Sequence, residues 1–445
     1  MLPHRVERHQ RAPATTSVHA ASSALVGRPS KPMAKAVQPA TLPLLLALFL
    51  ILIPTQSWCQ EAHKCEESTV DAPFWTITRG CIDVPHSYLA KEGPKTPVYY
   101  EISRPKEKPL GVILNFHGGP GYPRAHIPQR GPLWEGMLAH YTFIYFHQRG
   151  SGWSGKITDL RQVVGQESLY SLDTYVDDAR YITRRLEPDS KVVVFGKSAG
   201  GFLAMLFAVK YPEMVSGAIV ACSGPDGDYL RHRDKVKEHF TQEMEQRFRG
   251  FTTSLRRARA RLASAPPPAL AKLQGQSPVG LLDSAFFDLS YSLTGQYEMV
   301  SLAREAELGA GVLLAKRARK GAANIFGGGL ESGTLLQHIS CRELGHGDLY
   351  PMSCIGVEKA EPYDVKPRLK ELAIPVLVLS GRYDSVLPLH FQEAIVRNLS
   401  SATVSWVILR WSGHMIFQEQ PRASSTAILR FLGVAPPLPP QDWSL

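Results

Sequence analysis

No cysteine–histidine spacing in this chain matches a zinc-holding pattern, which removes zinc chemistry from the options its sequence supports. No glycine-rich loop is placed to cradle a phosphate either. The triplet Gly327, Gly328 and Gly329 follows no strand-like run, whereas phosphate loops work at a strand-to-helix turn. No metal and no cofactor is therefore expected. A nucleic-acid strand lacks its usual partner, a basic stripe interleaved with aromatics. The formal charge of +10 is concentrated in two places: residues 1–40 hold six Lys/Arg against one Glu, and residues 231–262 hold ten against four acids. Those two segments account for the whole excess, so the rest of the chain is close to neutral. The charges of residues 234–262 are expected to form a solvated helix face. The apolar run at 42–53, broken only by Pro43, would make a helix of about 18 Å, short of a hydrocarbon core of about 30 Å.

What the chain does have is room and a repeated local device. With 445 residues, 44% of them hydrophobic, it can bury a large core and a second unit. Three segments, GVILNFHGGPG (111–121), VVVFGKSAGG (192–201) and VLVLSGRYD (376–384) followed by WSGH (411–414), share one form. Each starts as an apolar, largely β-branched run and ends in a glycine turn carrying a polar or titratable side chain. Strands of a parallel α/β sheet deliver chemistry to their carboxyl ends in this way. The order Ser198, Asp384, His414 is the order in which α/β-hydrolases carry a nucleophile, an acid and a base.

Each candidate rests on its setting. A G-x-S-x-G turn alone is a weak signal, but Ser198 stands between a buried-strand run, 192–195, and FLAMLFAV, 202–209, apolar enough for a buried helix. His414 is one of fifteen histidines; it stands out by following the strand-like VSWVILRW and preceding a helix-like stretch, 419–432. Asp384 closes the strand at 374–380, where an aspartate also suits a turn or helix cap. His346 and His390 are weaker base candidates, since neither follows a strand. An acyl-transfer site also needs two backbone N–H groups aimed at the developing oxyanion. Ala199, directly after the serine, should give one, and the loop through Gly118 and Gly119 the other.

These motifs resemble the proline iminopeptidase and tripeptidyl aminopeptidase group of α/β-hydrolases. The group carries HGGPG, as at 117–121, and a G-x-S-x-G-G elbow, as at 196–201. It also carries a G-R-x-D turn, as at 381–384, and an F-D-Q-R-G-x-G-x-S stretch, here Phe146, His147, Gln148, Arg149, Gly150, Ser151, Gly152, Trp153 and Ser154. His147 stands where the group has Asp, and Ala199 where it has an aromatic residue; both departures bear on substrate preference and leave the triad whole. The resemblance implies a mostly parallel central sheet flanked by helices with an inserted helical cap. It further implies an aminopeptidase acting on short peptides, and a carboxylate in the cap that holds the substrate ammonium. Glu343, after Cys341 in GTLLQHISCREL, is the candidate, with Glu331 second. An ester or lactone hydrolase on the same fold is the alternative reading, and a catalytically silent binding protein a third.

The expected organisation is a leader and signal peptide at 1–59, a first core part at 60–222, a helical cap insertion at 223–364 and a second core part at 365–445. Lys31 and Lys35 precede the short apolar run, and Ser57 and Cys59 offer small side chains at cleavage positions −3 and −1. Met33 opens a shorter version of the same leader. Export is the expectation, with a retained membrane anchor at 42–53 as the alternative. Cysteine usage fits an oxidising compartment: Cys65–Cys81 and Cys341–Cys354 are candidate short-range pairs, and Cys222 is expected as a buried thiol.

Overall fold

Apolar residues on both faces of a strand demand cover on both sides, and that demand organises this chain. The computed structural model describes residues 65–89, 92–118, 126–154, 171–226, 233–264, 279, 282, 283, 286, 289–307 and 364–434. The strands are β1 (Ser68–Asp71), β2 (Trp75–Pro85), β3 (Lys95–Pro105), β4 (Val112–Phe116), β5 (Thr142–Phe146), β6 (Val192–Lys197), β7 (Val215–Ala221), β8 (Pro375–Gly381) and β9 (Thr403–Leu409). They form one sheet in the order β1-β2-β3-β5-β4-β6-β7-β8-β9. From β5 to β9 every pairing is parallel, whereas β1, β2 and β3 pair antiparallel and β3 joins β5 antiparallel. The expected mostly parallel sheet is thus observed, with an antiparallel edge.

Side-chain alternation splits the core in two. Leu114, Val194, Val220 and Val378 face one layer, packed with Tyr175, Val176, Ala179 and Ile182 of α2 (Leu172–Leu186) and with α3 (Ala199–Lys210). Ile113, Phe195, Ile219 and Leu377 face the other, against Leu133 and Met137 of α1 (Pro132–His140) and Ile428 and Leu429 of α8 (Pro421–Phe431). Helix α3 is buried from Gly200 to Val209, as its all-round apolar sequence requires. Helix α2 instead carries a single apolar stripe, and its first turn is capped by Ser171, whose Oγ accepts from the Thr174 N–H at 3.2 Å.

Between β7 and β8 lie helices α4 (Arg233–Arg247), α5 (Phe251–Ala263) and α6 (Leu293–Glu307). They bury a cluster of their own, including Met244, Phe251, Leu255, Leu262, Met299 and Leu302. The charged stretch at 234–262 is not one helix: Gly250, with φ of +86°, divides it. Helix α5 turns Phe251, Leu255, Ala258 and Leu262 inward and leaves Arg257 and Arg259 exposed, each paired with an acid, Glu307 and Asp283. Among the described residues no helix is long and apolar enough to cross a membrane. Helix α7 (Leu389–Asn398) completes the elements around β8. Cys65 and Cys81 form a disulfide, tying the segment before β1 to the middle of β2, and Cys222 is a buried free thiol. The leader at 1–59 and the Cys341–Cys354 pair lie outside the described residues.

Candidate active site

The turn after β6 is built so tightly that only glycine fits two residues to either side of Ser198. A Cβ on Gly196 would stand 2.0 Å from the Gly200 carbonyl oxygen, and one on Gly200 would stand 2.2 Å from that of Phe116. Ser198 itself takes φ 59° and ψ −130°, strained backbone of the kind kept at functional sites. Its N–H donates to Ala221 O at 2.9 Å, and its carbonyl accepts from the Ser223 hydroxyl at 2.8 Å. Helix α3 starts at Ala199, so the Ala199 N–H belongs to the first turn, where N–H groups have no intrahelical acceptor. This turn is partly open to solvent at Lys197, Ser198 and Ala199.

Gly118 lies against the same turn. A Cβ there would stand 2.8 Å from Lys197 O and 3.5 Å from the Ser198 Cβ. His117, buried, fixes this loop: its Nε2 accepts from the Gln148 N–H at 3.2 Å, leaving Nδ1–H to donate to Gly118 O at 3.2 Å. Burial lowers the His117 pKa to about 4, so the ring is neutral and the tautomer defined. Gly119 lies outside the described residues. The structure therefore brings Gly118 and Ala199 to the serine.

Asp384 and His414 meet beyond β7, at the ends of β8 and β9. The His414 ring, buried in the loop after β9, points Nδ1 at Asp384 Oδ2, 2.8 Å away. The other carboxylate oxygen accepts from Val386 N–H at 2.9 Å and Leu387 N–H at 2.8 Å. Asp384 thus stabilises its own turn with one oxygen and faces the imidazole with the other. With Nδ1–H given to the carboxylate, the lone pair of His414 is left on Nε2. Burial, reinforced by the Lys197 ammonium, holds the imidazole below its ordinary pKa against the opposing pull of Asp384. A contact joins the two halves: Lys197 Nζ, adjacent to Ser198, donates to the Sδ of Met415, adjacent to His414, at 3.4 Å.

Several supports of this geometry left no mark in the motifs. The His414 N–H donates to Tyr291 O at 2.8 Å. Glu419 accepts from Gly413 N–H at 2.8 Å and the Ser412 hydroxyl at 3.1 Å with one oxygen, and from Leu293 N–H at 2.5 Å with the other. Burial raises its pKa in spite of those bonds. A residue that holds a loop by accepting backbone hydrogens has no spacing signature, although an acid five positions after the histidine was visible. His147, buried, accepts from Trp153 N–H at 3.0 Å and stacks on that indole. Arg149 donates to both oxygens of Asp178, at 2.5 and 2.7 Å. His390 is on α7 against His239, with ring centroids 5.4 Å apart. Glu343, Glu331 and His346 lie outside the described residues.

The model of the alpha/beta hydrolase fold matches residues 111–421. The chain belongs to that family. Over shorter stretches it is similar to named enzymes: 27% identical over 124 residues to the proline iminopeptidase of Thermoplasma volcanium, covering 28% of this chain and 38% of that one. To the proline iminopeptidase of Aeromonas sobria it is 26% identical over 203 residues, covering 41% and 48%. The matched stretches span less than half the length of these relatives. A solved proline iminopeptidase from Mycobacterium smegmatis is similar across 80% of this chain and 98% of its own, with a TM-score of 0.47 and 16% identity.

Proposed function

We propose that this α/β-hydrolase is an exported serine aminopeptidase, cleaving short peptides near a free amino terminus. The observation that carries the reading is the buried His414–Asp384 bond of 2.8 Å, at the strand ends that also present the strained Ser198. His414 Nε2 takes the Ser198 hydroxyl proton as Oγ attacks the scissile carbonyl. Asp384 holds the tautomer and stabilises the imidazolium. The Ala199 N–H and the glycine loop at Gly118 and Gly119 receive the oxyanion. The imidazolium then gives its proton to the leaving amine. Water, deprotonated by the same ring, attacks the acyl-enzyme, releases the acid and restores Ser198. Export is supported by the short apolar run at 42–53 with its basic flank and by the Cys65–Cys81 disulfide. Glu343, or failing it Glu331, is assigned to the substrate ammonium by resemblance of the segment around Cys341.

A panel of chromogenic aminoacyl, peptidyl and ester substrates, each with a free or blocked amino group, tests this. Ser198→Ala should remove nearly all turnover, and a fluorophosphonate should label Ser198 alone. Glu343→Gln should lose about ten- to a hundredfold in kcat/KM on free-amino substrates only. Equal cleavage of blocked and free substrates by the unmutated protein would replace the aminopeptidase reading with that of an ester hydrolase. Label on any other serine would end both.

A further inference from the structure

Ser198 is not alone in its strain. Among the described residues, the non-glycine positions with positive φ are Ser198 at 59° and Cys222 at 45°. Cys222 follows β7, its N–H donates to Leu379 O of β8 at 2.8 Å, and its side chain is fully buried. Glycine would take that backbone conformation without strain. The turn instead carries a thiol to the acid–base pair: Sγ, a carboxylate oxygen of Asp384 and a ring nitrogen of His414 all lie within 4.8 Å of one another. Since the carboxylate and imidazole are already bonded at 2.8 Å, this is a closed cluster rather than an open cation site.

The thiol has one hydrogen to give, and the carboxylate has a place for it. An ionised carboxylate offers about four lone-pair positions. Val386 N–H, Leu387 N–H and His414 Nδ1–H take three of those on Asp384. Burial, with the nearby Asp384 charge, pushes the Cys222 thiol well above its ordinary pKa, so it keeps its proton.

We propose that the Cys222 S–H donates to Asp384 and is a positioning residue for the acid–base pair, holding the carboxylate against His414 and moderating its charge. The proposal rests on the assignment of Ser198, His414 and Asp384 as the reacting set. Among the described residues, the groups that bear on the imidazole are Lys197 from the end of β6, Cys222 after β7, Asp384 from the turn after β8 and the Tyr291 ring, 5.6 Å away, from the segment before α6. Glu419, at the end of the short helix Ile416–Glu419 that follows the histidine, is bound to the Gly413 backbone. Asp384 favours the imidazolium and Lys197 opposes it. A donor on the carboxylate spreads its charge and weakens its hold on the imidazolium. Loss of that donor therefore raises the His414 pKa.

In the full chain, Cys222→Ala should move the acid limb of kcat/KM up by about half a pH unit and lower kcat about two- to fivefold. Cys222→Ser keeps a hydrogen donor and should bring both back close to the unmutated values. An unmoved acid limb in Cys222→Ala, or equal losses in the Ala and Ser variants, would reduce Cys222 to packing and overturn the proposal. The infrared S–H stretch, recognised as the band missing from Cys222→Ser, decides the matter even where Cys222→Ala fails to fold. It should shift to higher frequency in Asp384→Asn, and an unchanged band overturns the proposal. Failure of the underlying reading would show separately, as turnover surviving Ser198→Ala, which the S–H band does not depend on.

Discussion

Replacing Asp384 by Asn keeps shape and volume while testing what the carboxylate does. Its Oδ1 accepts from Val386 N–H at 2.9 Å and Leu387 N–H at 2.8 Å, and its Oδ2 faces His414 Nδ1 at 2.8 Å. An amide has one acceptor oxygen, so the variant must choose. Turning the NH2 toward the two backbone donors would leave both unsatisfied, at about 1–3 kcal/mol each. Turning it toward the imidazole keeps both backbone bonds and reverses the third. The second arrangement wins, and the amide then donates to Nδ1. His414 must carry its proton on Nε2, where it can no longer accept one from Ser198. Reversing the tautomer in a serine triad lowers kcat about ten-thousandfold, equivalent to roughly 5.4 kcal/mol of barrier. The turn survives, so the thermal midpoint should stay close to that of the unmutated chain. Asp384→Ala, which orphans both N–H groups, should lose about 2–6 kcal/mol and unfold at visibly lower temperature. Steady-state turnover of a chromogenic substrate, read beside a melting curve, makes the comparison. An Asp384→Asn variant within tenfold of full activity would refute the assignment of Asp384 and His414 as an acid–base pair.

Two further outcomes concern stability. The His117 pKa falls to about 4 in the fold from an ordinary 6.5, so the unfolded chain binds the extra proton between those values and stability must fall as pH drops from 6.5 to 4. The difference corresponds to about 3 kcal/mol, and His117→Asn should flatten that part of a denaturant-midpoint profile; a profile as steep as before would refute the assignment. Reducing the Cys65–Cys81 disulfide, which spans 16 positions, should cost about 3 kcal/mol, seen as a lowered denaturant midpoint in Cys65→Ser. An unmoved midpoint would mean that the β1 edge contributes nothing to global stability.

Legibility followed burial. The runs at 112–116, 192–195 and 374–380 read as strands because both faces are covered, and the structure places β4, β6 and β8 there. The antiparallel strands β1, β2 and β3 were not legible. Every residue of β1 is exposed, and β2 buries only Trp75, Ile77, Gly80 and Val84 at uneven spacing, a pattern that polar and β-branched residues share with loops. The Cys65–Cys81 pair was readable from spacing, and α3 from its unbroken apolar sequence. The division of the charged stretch at Gly250 was not, since charge masked the buried stripe Phe251, Leu255, Ala258 and Leu262. Strand order was also hidden: β4 lies between β5 and β6, which depends on packing rather than on any local run.

The same distinction separates the parts of the candidate site. Gly196, Gly200 and Gly381 are needed because backbone approaches backbone: a Cβ on Gly381 would stand 1.9 Å from Gly413 O. Such demands write themselves into the sequence as glycines two residues from Ser198 and three from Asp384. The supports of His414 come from elsewhere, and most are backbone atoms of the segment between β7 and β8, namely Tyr291 O and, through Glu419, Leu293 N. A backbone atom imposes no residue type, so these contacts have no motif. They also mean that the segment joining β7 to β8 does more than occupy space over the sheet. It fixes the loop of the imidazole directly, so a shift of Tyr291 or Leu293 would be felt at His414 without any change in the strands. The position of the imidazole depends on main-chain bonds that a change of side chain at Tyr291 or Leu293 leaves in place.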